Sequence, residues 1–197
     1  MLLSYNFSTA ESTVGKTIIV IDPGHGGVDP GAVGADDTLE KDITLEVAKL
    51  IYRKSFRYSS LNVVLTRRND RYLHPYDRTG FANKRNAVAF VSIHADSFHD
   101  PSVEGTTTLV ANESGSSSRN LAETIQAEIA SKWISRDRGV RSASLFIREA
   151  RMPAILVELG FLSNPNEAKK LRSSSYQEKF ATAILDGLKK YIRVYGS

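Results

Sequence analysis

The sequence contains no cysteine, which excludes disulfide bonds, thiol nucleophiles and cysteine-ligated zinc. No run approaches the roughly 18 consecutive apolar residues of a membrane span. Residues 1–14 lack both the basic start and the long apolar core of a secretory signal, so we expect a flexible lead-in there. These absences direct attention to side chains other than thiols and to a globular domain without a membrane span.

The excess of basic charge is small. The net charge is +4 and the pI about 9.3, which favours an anionic partner or surface such as cell wall or nucleic acid. No basic cluster is interleaved with aromatic residues, so we expect no nucleic-acid partner. With 197 residues, 41% of them apolar, the chain fits one globular domain, predicted over residues 15–197.

Apolar runs alternate with amphipathic stretches along the chain. Strands are predicted at 17–21, 61–66, 87–93, 103–110, 144–148 and 153–158. Helical periodicity covers 39–54, 118–133 and a segment reaching Tyr191 that opens with a capping box at Ser175 and Glu178. This alternation predicts an α/β fold in which a mostly parallel six-stranded sheet lies between helices, as a three-layer αβα sandwich.

Two histidines follow directly on buried strands. The run Ile18–Ile21 leads into Asp-Pro-Gly-His-Gly-Gly, whose proline and glycines cannot continue the strand and so present His25 in a turn. His94 closes the apolar run 87–93 in the same way. Because open α/β sheets bind ligands at the carboxyl ends of their strands, both imidazoles are candidate ligands. His74 and His99 lie in polar loops and are expected at the surface.

Glu158 ends a third apolar run, 155–157, so its carboxylate is expected to be partly desolvated. Burial raises a carboxyl pKa, which suits a general base that takes a proton from water and returns it to a leaving amine. The alternative is an ion pair with Arg148 or Arg151. Glu167, by contrast, belongs to a helix start capped by Asn164 and is assigned to structure.

His25, His94 and Glu40 form the donor set of a catalytic zinc site, two imidazoles and one carboxylate, with a fourth position left open. Asp22 and Asp96 are candidates for the neighbouring acceptors that fix each imidazole tautomer. Glu40 has a competing role, because Asp37-x-x-Glu40 reads as a capping box at a helix start. Spacing alone does not choose between ligand and cap.

The chain resembles the zinc-dependent N-acetylmuramoyl-L-alanine amidases of bacterial cell walls with an amidase-3 catalytic domain. The resemblance covers residues 16–193. It rests on four motifs in order: Ile21–Gly27 with Asp29–Gly31, Leu39–Asp42, Ser92–Asp96 and Pro153–Asn164. Arg67-Arg68, Asp77-Arg78 and Ala82-Asn83 also look like the family.

The resemblance implies one Zn²⁺ held by His25, Glu40 and His94, with Glu158 as the catalytic residue. The implied reaction is hydrolysis of the amide between the lactyl group of N-acetylmuramic acid and L-alanine of the stem peptide. Peptidoglycan is then the partner of a monomeric enzyme that acts outside the cell, in the periplasm or at the wall. Substrate-binding residues stay unassigned.

Some family members carry a long insertion that covers the zinc and must be displaced by an activator. The segment between Val110 and Arg119 is too short for such a helix, which predicts an open site.

Three alternative functions remain open, and each makes a different demand on the residues. A metal-free glycosidase would use Glu158 with a second carboxylate and would survive chelation. A zinc carboxypeptidase would need an arginine clamp, for which Arg148 is the candidate. A wall-binding module would have no need of Glu158 at a strand end.

Overall fold

A computed structural model of the chain describes residues 17–34, 36–59, 61–132 and 134–196. The predicted lead-in, residues 1–14, and Trp133 of the predicted middle helix lie outside these ranges. The strands are β1 (Thr17–Pro23), β2 (Leu61–Leu65), β3 (Ala89–Asp96), β4 (Thr106–Ala111), β5 (Asp137–Ala143) and β6 (Ala154–Phe161). The helices are α1 (Glu40–Ser55), α2 (Pro75–Asn83), α3 (Ser116–Ser131), α4 (Pro165–Leu171) and α5 (Ser174–Tyr195), with one 3₁₀ helix at Phe146–Glu149.

The strands form one six-stranded sheet in the order β2-β1-β3-β6-β4-β5. All neighbouring pairs are parallel except β4 with β6. The mostly parallel six-stranded sheet is therefore confirmed. Because β1, β3 and β6 are adjacent and parallel, their carboxyl ends meet at one edge, which we call the catalytic edge.

The two faces of the sheet are covered unequally. Helices α1, α3, α4 and α5 share the larger core, whose strand residues include Ile19, Val91 and Val157. The alternate strand residues Val20 and Phe90 point into a smaller core with α2 and the 3₁₀ helix. Helices thus lie on both faces, as predicted, but the second face carries one short α-helix and a 3₁₀ turn.

The fifth strand was predicted in the wrong place. The segment 144–148 is not a strand, because its apolar side chains enter the smaller core around Ile147 as a 3₁₀ turn. The strand is the preceding Asp137–Ala143, an edge strand whose polar sequence Asp-Arg-Gly-Val-Arg-Ser-Ala hides it from a search for apolar runs.

Helix boundaries follow local chemistry, with one correction. Asn164 caps α4 as predicted, since its side chain accepts from the backbone N–H groups of Asn166 and Glu167. The capping box predicted at Ser175 is wrong, because the N-cap of α5 is Ser173, two residues earlier, and it makes no side-chain cap bond. Within the described residues, no helix has the length and hydropathy needed to cross a membrane.

Candidate metal centre and active site

The turn after β1 holds His25 in a backbone conformation that few residues adopt. His25 has φ +58°, and Gly26 and Gly27 also have positive φ. Gly24 is required for a different reason: a Cβ there would lie 2.4 Å from Cε1 of His94. Gly24 thus allows the two imidazoles to approach, with ring centroids 4.9 Å apart.

Two buried arginines fix this turn. Arg67 donates from Nε to the carbonyl of Pro23 (3.0 Å) and from Nη2 to that of Gly24 (2.7 Å). Arg78 donates from Nη1 to Pro23 (2.7 Å) and from Nη2 to the carbonyl of His25 (2.8 Å). Burial lowers the pKa of Arg67 to about 10, so its side chain remains cationic at neutral pH. The turn is therefore held by its carbonyls, which leaves the His25 ring available.

The acceptor beside His25 is Asp29, which the sequence analysis did not single out. Its Oδ2 lies 2.8 Å from His25 Nδ1, and its Oδ1 accepts from the N–H of Gly31. Burial alone would raise the Asp29 pKa, but the hydrogen bonds to the His25 imidazole and to the N–H of Gly31, together with nearby positive charge, outweigh it and lower that pKa. Its spacing, four residues after His25 in the same glycine-rich loop, was the available signal.

The prediction that Asp22 and Asp96 orient the imidazoles is wrong. Asp22 is buried and accepts from Thr66 Oγ1, from Ser92 Oγ (2.8 Å) and from Arg78 Nη1 (3.0 Å), so it supports the arginine and not an imidazole. Asp96 turns back to accept from the N–H of Ser97 (2.7 Å). Neither carboxylate bonds to an imidazole within the described residues.

Glu40 points into the catalytic edge and does not cap its helix. The N-cap of α1 is Leu39, without a side-chain cap bond. Oε2 of Glu40 accepts from the N–H of Ala32 (2.8 Å), while Oε1 accepts from the N–H of Ala95 (3.0 Å). Since Asp37 lies outside the N-cap, the predicted capping box is wrong, and both carboxylate oxygens are committed to the loops around the two histidines.

Three donor atoms converge around Glu40 Oε1. His94 Nδ1 lies 2.9 Å from it and His25 Nε2 lies 3.1 Å from it. With the N–H of Ala95, this oxygen has three nitrogen neighbours for about two lone pairs. One ligand atom from each of His25, Glu40 and His94 lies within 4.8 Å of the others. A cation shared by these atoms would relieve the crowding, so the donor set fits a zinc ion.

The charge state of Glu40 depends on that of the two imidazoles beside it, and the reverse is also true. Burial alone would raise the pKa of Glu40, but hydrogen bonds and charge from the two imidazoles outweigh it and hold that pKa well below its usual range. For His25, burial lowers the pKa, and its contacts with Glu40 and Asp29 overcome this to give a net increase. The cluster is thus an anionic pocket that favours positive charge, whether proton or metal.

Glu158 lies beside this cluster with an unsatisfied carboxylate. It is level with His94 across the β3–β6 pair and with Thr107 on β4. Its Oε2 is buried and has no hydrogen-bond partner within the described residues. Burial raises the Glu158 pKa well above its usual value, and the charges of Asp96 and Glu40 add to this.

The ion pair proposed as the alternative for Glu158 does not form. Arg148 bonds to Glu149 (3.2 Å), and Arg151 is exposed. Both precede β6, whereas Glu158 lies near its carboxyl end. Because Arg148 precedes β6, it also lies away from the candidate metal centre and cannot serve there as the arginine clamp of a carboxypeptidase.

The residues assigned to structure or surface behave as expected. His74 and His99 are exposed. Glu167 is buried and accepts from the N–H of Phe161 (2.8 Å), the N–H of Gly105 (3.1 Å) and Ser135 Oγ (2.8 Å). It therefore ties α4 to the strands behind the site.

The candidate metal centre reaches the surface, with the His25 side chain 24% exposed and that of His94 15% exposed. The connection at 112–115 is short, as predicted, but it follows β4, which runs antiparallel to β6. That connection lies at the opposite edge of the sheet, so its length does not decide access to the catalytic edge. The exposure of the two imidazoles is the relevant observation.

Known proteins match this chain over nearly its whole length. Residues 19–190 match the family model described as N-acetylmuramoyl-L-alanine amidase. An uncharacterized protein of Bacillus subtilis, YqiI, is 41% identical over 184 residues, covering 92% of this chain and 87% of its own length. The amidase LytC of B. subtilis is 39% identical, and the matched region covers 91% of this chain but 36% of LytC.

Solved structures agree. The amidase of Clostridium difficile 630 superposes with a TM-score of 0.89 at 35% identity, covering 92% of this chain and 99% of that one. The catalytic domain of CwlV from Paenibacillus polymyxa gives a TM-score of 0.86 at 36% identity, covering 90% of this chain and 99% of that one. The chain therefore belongs to the N-acetylmuramoyl-L-alanine amidase family.

Proposed function

We propose that this chain hydrolyses the amide between the lactyl group of N-acetylmuramic acid and L-alanine of the peptidoglycan stem peptide, using one Zn²⁺. Family membership supports the reaction class. The observation that carries the site assignment is the convergence of His25, Glu40 and His94 beside the unpaired carboxylate of Glu158.

In this proposal His25, Glu40 and His94 are the metal ligands. When bound, the ion supplies Lewis acidity, polarising the amide carbonyl and lowering the pKa of water in the site. Asp29 holds His25 through Nδ1, which leaves Nε2 facing Glu40 and His94. Arg67 and Arg78 hold the turn through its backbone carbonyls and leave the His25 ring free to bind the ion.

Glu158 moves the proton. Its buried Oε2 accepts a proton from the attacking water and transfers it to the departing L-alanine nitrogen as the C–N bond breaks. The products are a lactyl carboxylic acid and a free amino terminus, with one water consumed. A raised pKa makes the Glu158 carboxylate a stronger base toward the attacking water, while a nearby cation would keep it ionised until that proton arrives.

The partner and place of action follow from the substrate. Peptidoglycan is proposed as the substrate, so the enzyme would act outside the cell, in the periplasm or at the wall. A relative from Staphylococcus epidermidis, 36% identical, is described as a probable cell wall amidase, which supports this placement. We further propose a monomeric catalytic domain over residues 15–197, with a site open to substrate because both imidazoles are partly exposed.

Digestion of purified peptidoglycan with and without a chelator tests the proposal. The expected result is release of new L-alanine amino termini without new reducing ends, lost on chelation and restored by Zn²⁺. Mass analysis of the fragments identifies the bond. New reducing ends that persist in the chelator would instead show a glycosidase and overturn the proposal.

A further inference from the structure

Arg138 lies at the catalytic edge, in an irregular part of β5. Thr106 pairs with Asp137 and Thr108 with Val140, so Arg138 and Gly139 together lie opposite Thr107. Gly139 has φ +74°, a left-handed conformation that glycine adopts without strain at such an irregularity. Thr107 is level with Glu158 on its other side, so the bulge brings Arg138 to within two strands of the catalytic carboxylate.

The contacts of Arg138 direct its side chain along this edge. Nη1 donates to the carbonyl of Glu104 (3.2 Å), and the guanidinium carbon lies 5.2 Å from the centre of the Phe161 ring. Its stem passes Gly105, where a Cβ would be 3.0 Å from Cγ and Cδ. Phe161 is three residues beyond Glu158 on β6, so the guanidinium lies where that strand leaves the site.

The guanidinium is only partly satisfied. Nε is buried without a hydrogen-bond partner, and within the described residues the side chain forms no ion pair, although the Asp96 carboxylate is close enough to interact with its charge. The structural arginines differ: Arg67 and Arg78 each use Nε and both terminal nitrogens. Unsatisfied donors on a partly buried guanidinium favour a ligand that bonds to them, and a carboxylate matches the guanidinium fork.

The order of the functional side chains across the sheet indicates on which side each half of the substrate binds. The candidate ligands come from the turn after β1, from α1 and from β3, and Glu158 follows on β6. In the proposed reaction the carbonyl lies at the metal centre and the leaving nitrogen faces Glu158. The peptide on that nitrogen therefore extends past β6 toward β4 and β5, where Arg138 lies.

We propose that Arg138 binds a carboxylate of the leaving peptide, so that the enzyme prefers an acidic stem peptide over its neutral amide. This inference rests on the proposed amidase function. Arg138 is a specificity residue in this account, and it has no part in the proton transfer.

Two matched muramoyl peptides test it, in which the residue after L-alanine carries either a free carboxylate or the corresponding primary amide. For Arg138→Gln we expect kcat/KM to fall about 10- to 100-fold on the acid, mainly through KM, and less than about threefold on the amide. Arg141→Gln, on the same strand and exposed, is the matched control and should change neither substrate. Thermal unfolding and zinc content should match those of the wild type.

Equal losses on both substrates, or no loss on the acid, would overturn the inference. Wild-type enzyme that cleaves neither peptide would refute the proposed function instead. Should Arg138→Gln fail to fold, titration of the wild type with the two released peptides still decides. Tighter binding of the acidic product supports the carboxylate site, and equal binding excludes it.

Discussion

At the scale of single residues, metal binding and proton transfer are separable. We predict that Glu158→Gln lowers kcat by about 10³-fold or more while zinc remains bound, because the amide cannot accept the proton. His94→Ala should lose both activity and metal, since one of three ligands is gone. Metal analysis and turnover on one substrate check both variants. An active Glu158→Gln enzyme would remove Glu158 from the mechanism.

Asp29 offers a second test at this scale. Asp29→Asn keeps the shape but weakens the contact with His25 Nδ1, so zinc affinity should fall about 10- to 100-fold. Competition with a chromophoric chelator measures this. Asp77→Asn, at an exposed position of α2, is the matched control and should bind zinc as the wild type does. Unchanged affinity of Asp29→Asn would show that the contact does not support the ligand.

At the scale of elements, the backbone of the turn between β1 and α1 determines how closely the two imidazoles can approach. Gly24→Ala places a methyl group 2.4 Å from Cε1 of His94, so one imidazole must move. We expect loss of most zinc binding with the fold retained, measured by metal content and circular dichroism.

Gly80→Ala is the control for this substitution. Nothing lies within 4 Å of a Cβ at Gly80 in α2, and alanine favours the helix by up to about 1 kcal/mol, so the variant should be at least as stable as wild type. Normal zinc binding by Gly24→Ala would contradict the packing argument.

The elements and residues that could be predicted from the sequence are those marked by a pattern within one short stretch of the chain. Buried strands were found because they are apolar runs, and His25, His94 and Glu158 because they end such runs. β5 was missed because an exposed edge strand needs no apolar alternation. α2 was missed because Pro75–Asn83 is short and polar.

Long-range contacts explain the remaining differences. Asp22 was assigned to an imidazole because it precedes His25, whereas its partners Thr66, Arg78 and Ser92 come from three other segments. Glu40 shows the same limit: its spacing suggests a cap, and only the bond from the N–H of Ala95 on β3 shows that its carboxylate points toward the two histidines.

At the scale of the whole molecule, protons and metal compete for one anionic pocket. The raised His25 pKa means that protonation stabilises the metal-free fold below the unfolded value of 6.5, and this stabilisation is lost as the pH rises through the folded value. Zinc needs the neutral imidazole. The increase in Tm on adding zinc should therefore grow from pH 5.5 to pH 8.5.

The lowered Glu40 pKa acts in the opposite sense. It stabilises the fold above the unfolded value of 4.5, and that contribution is lost only in stronger acid. Thermal unfolding measured with and without zinc, over the pH ranges in which His25 and Glu40 titrate, tests both expectations. A zinc-induced shift in Tm that is independent of pH would show that the imidazoles are not ligands.

The most direct measurement is anomalous scattering at the zinc edge from crystals of zinc-loaded Glu158→Gln protein. The account predicts one strong peak bonded to His25, Glu40 and His94, with residue 158 beside it. Zinc bound elsewhere, or those three side chains pointing apart with no metal between them, would contradict it.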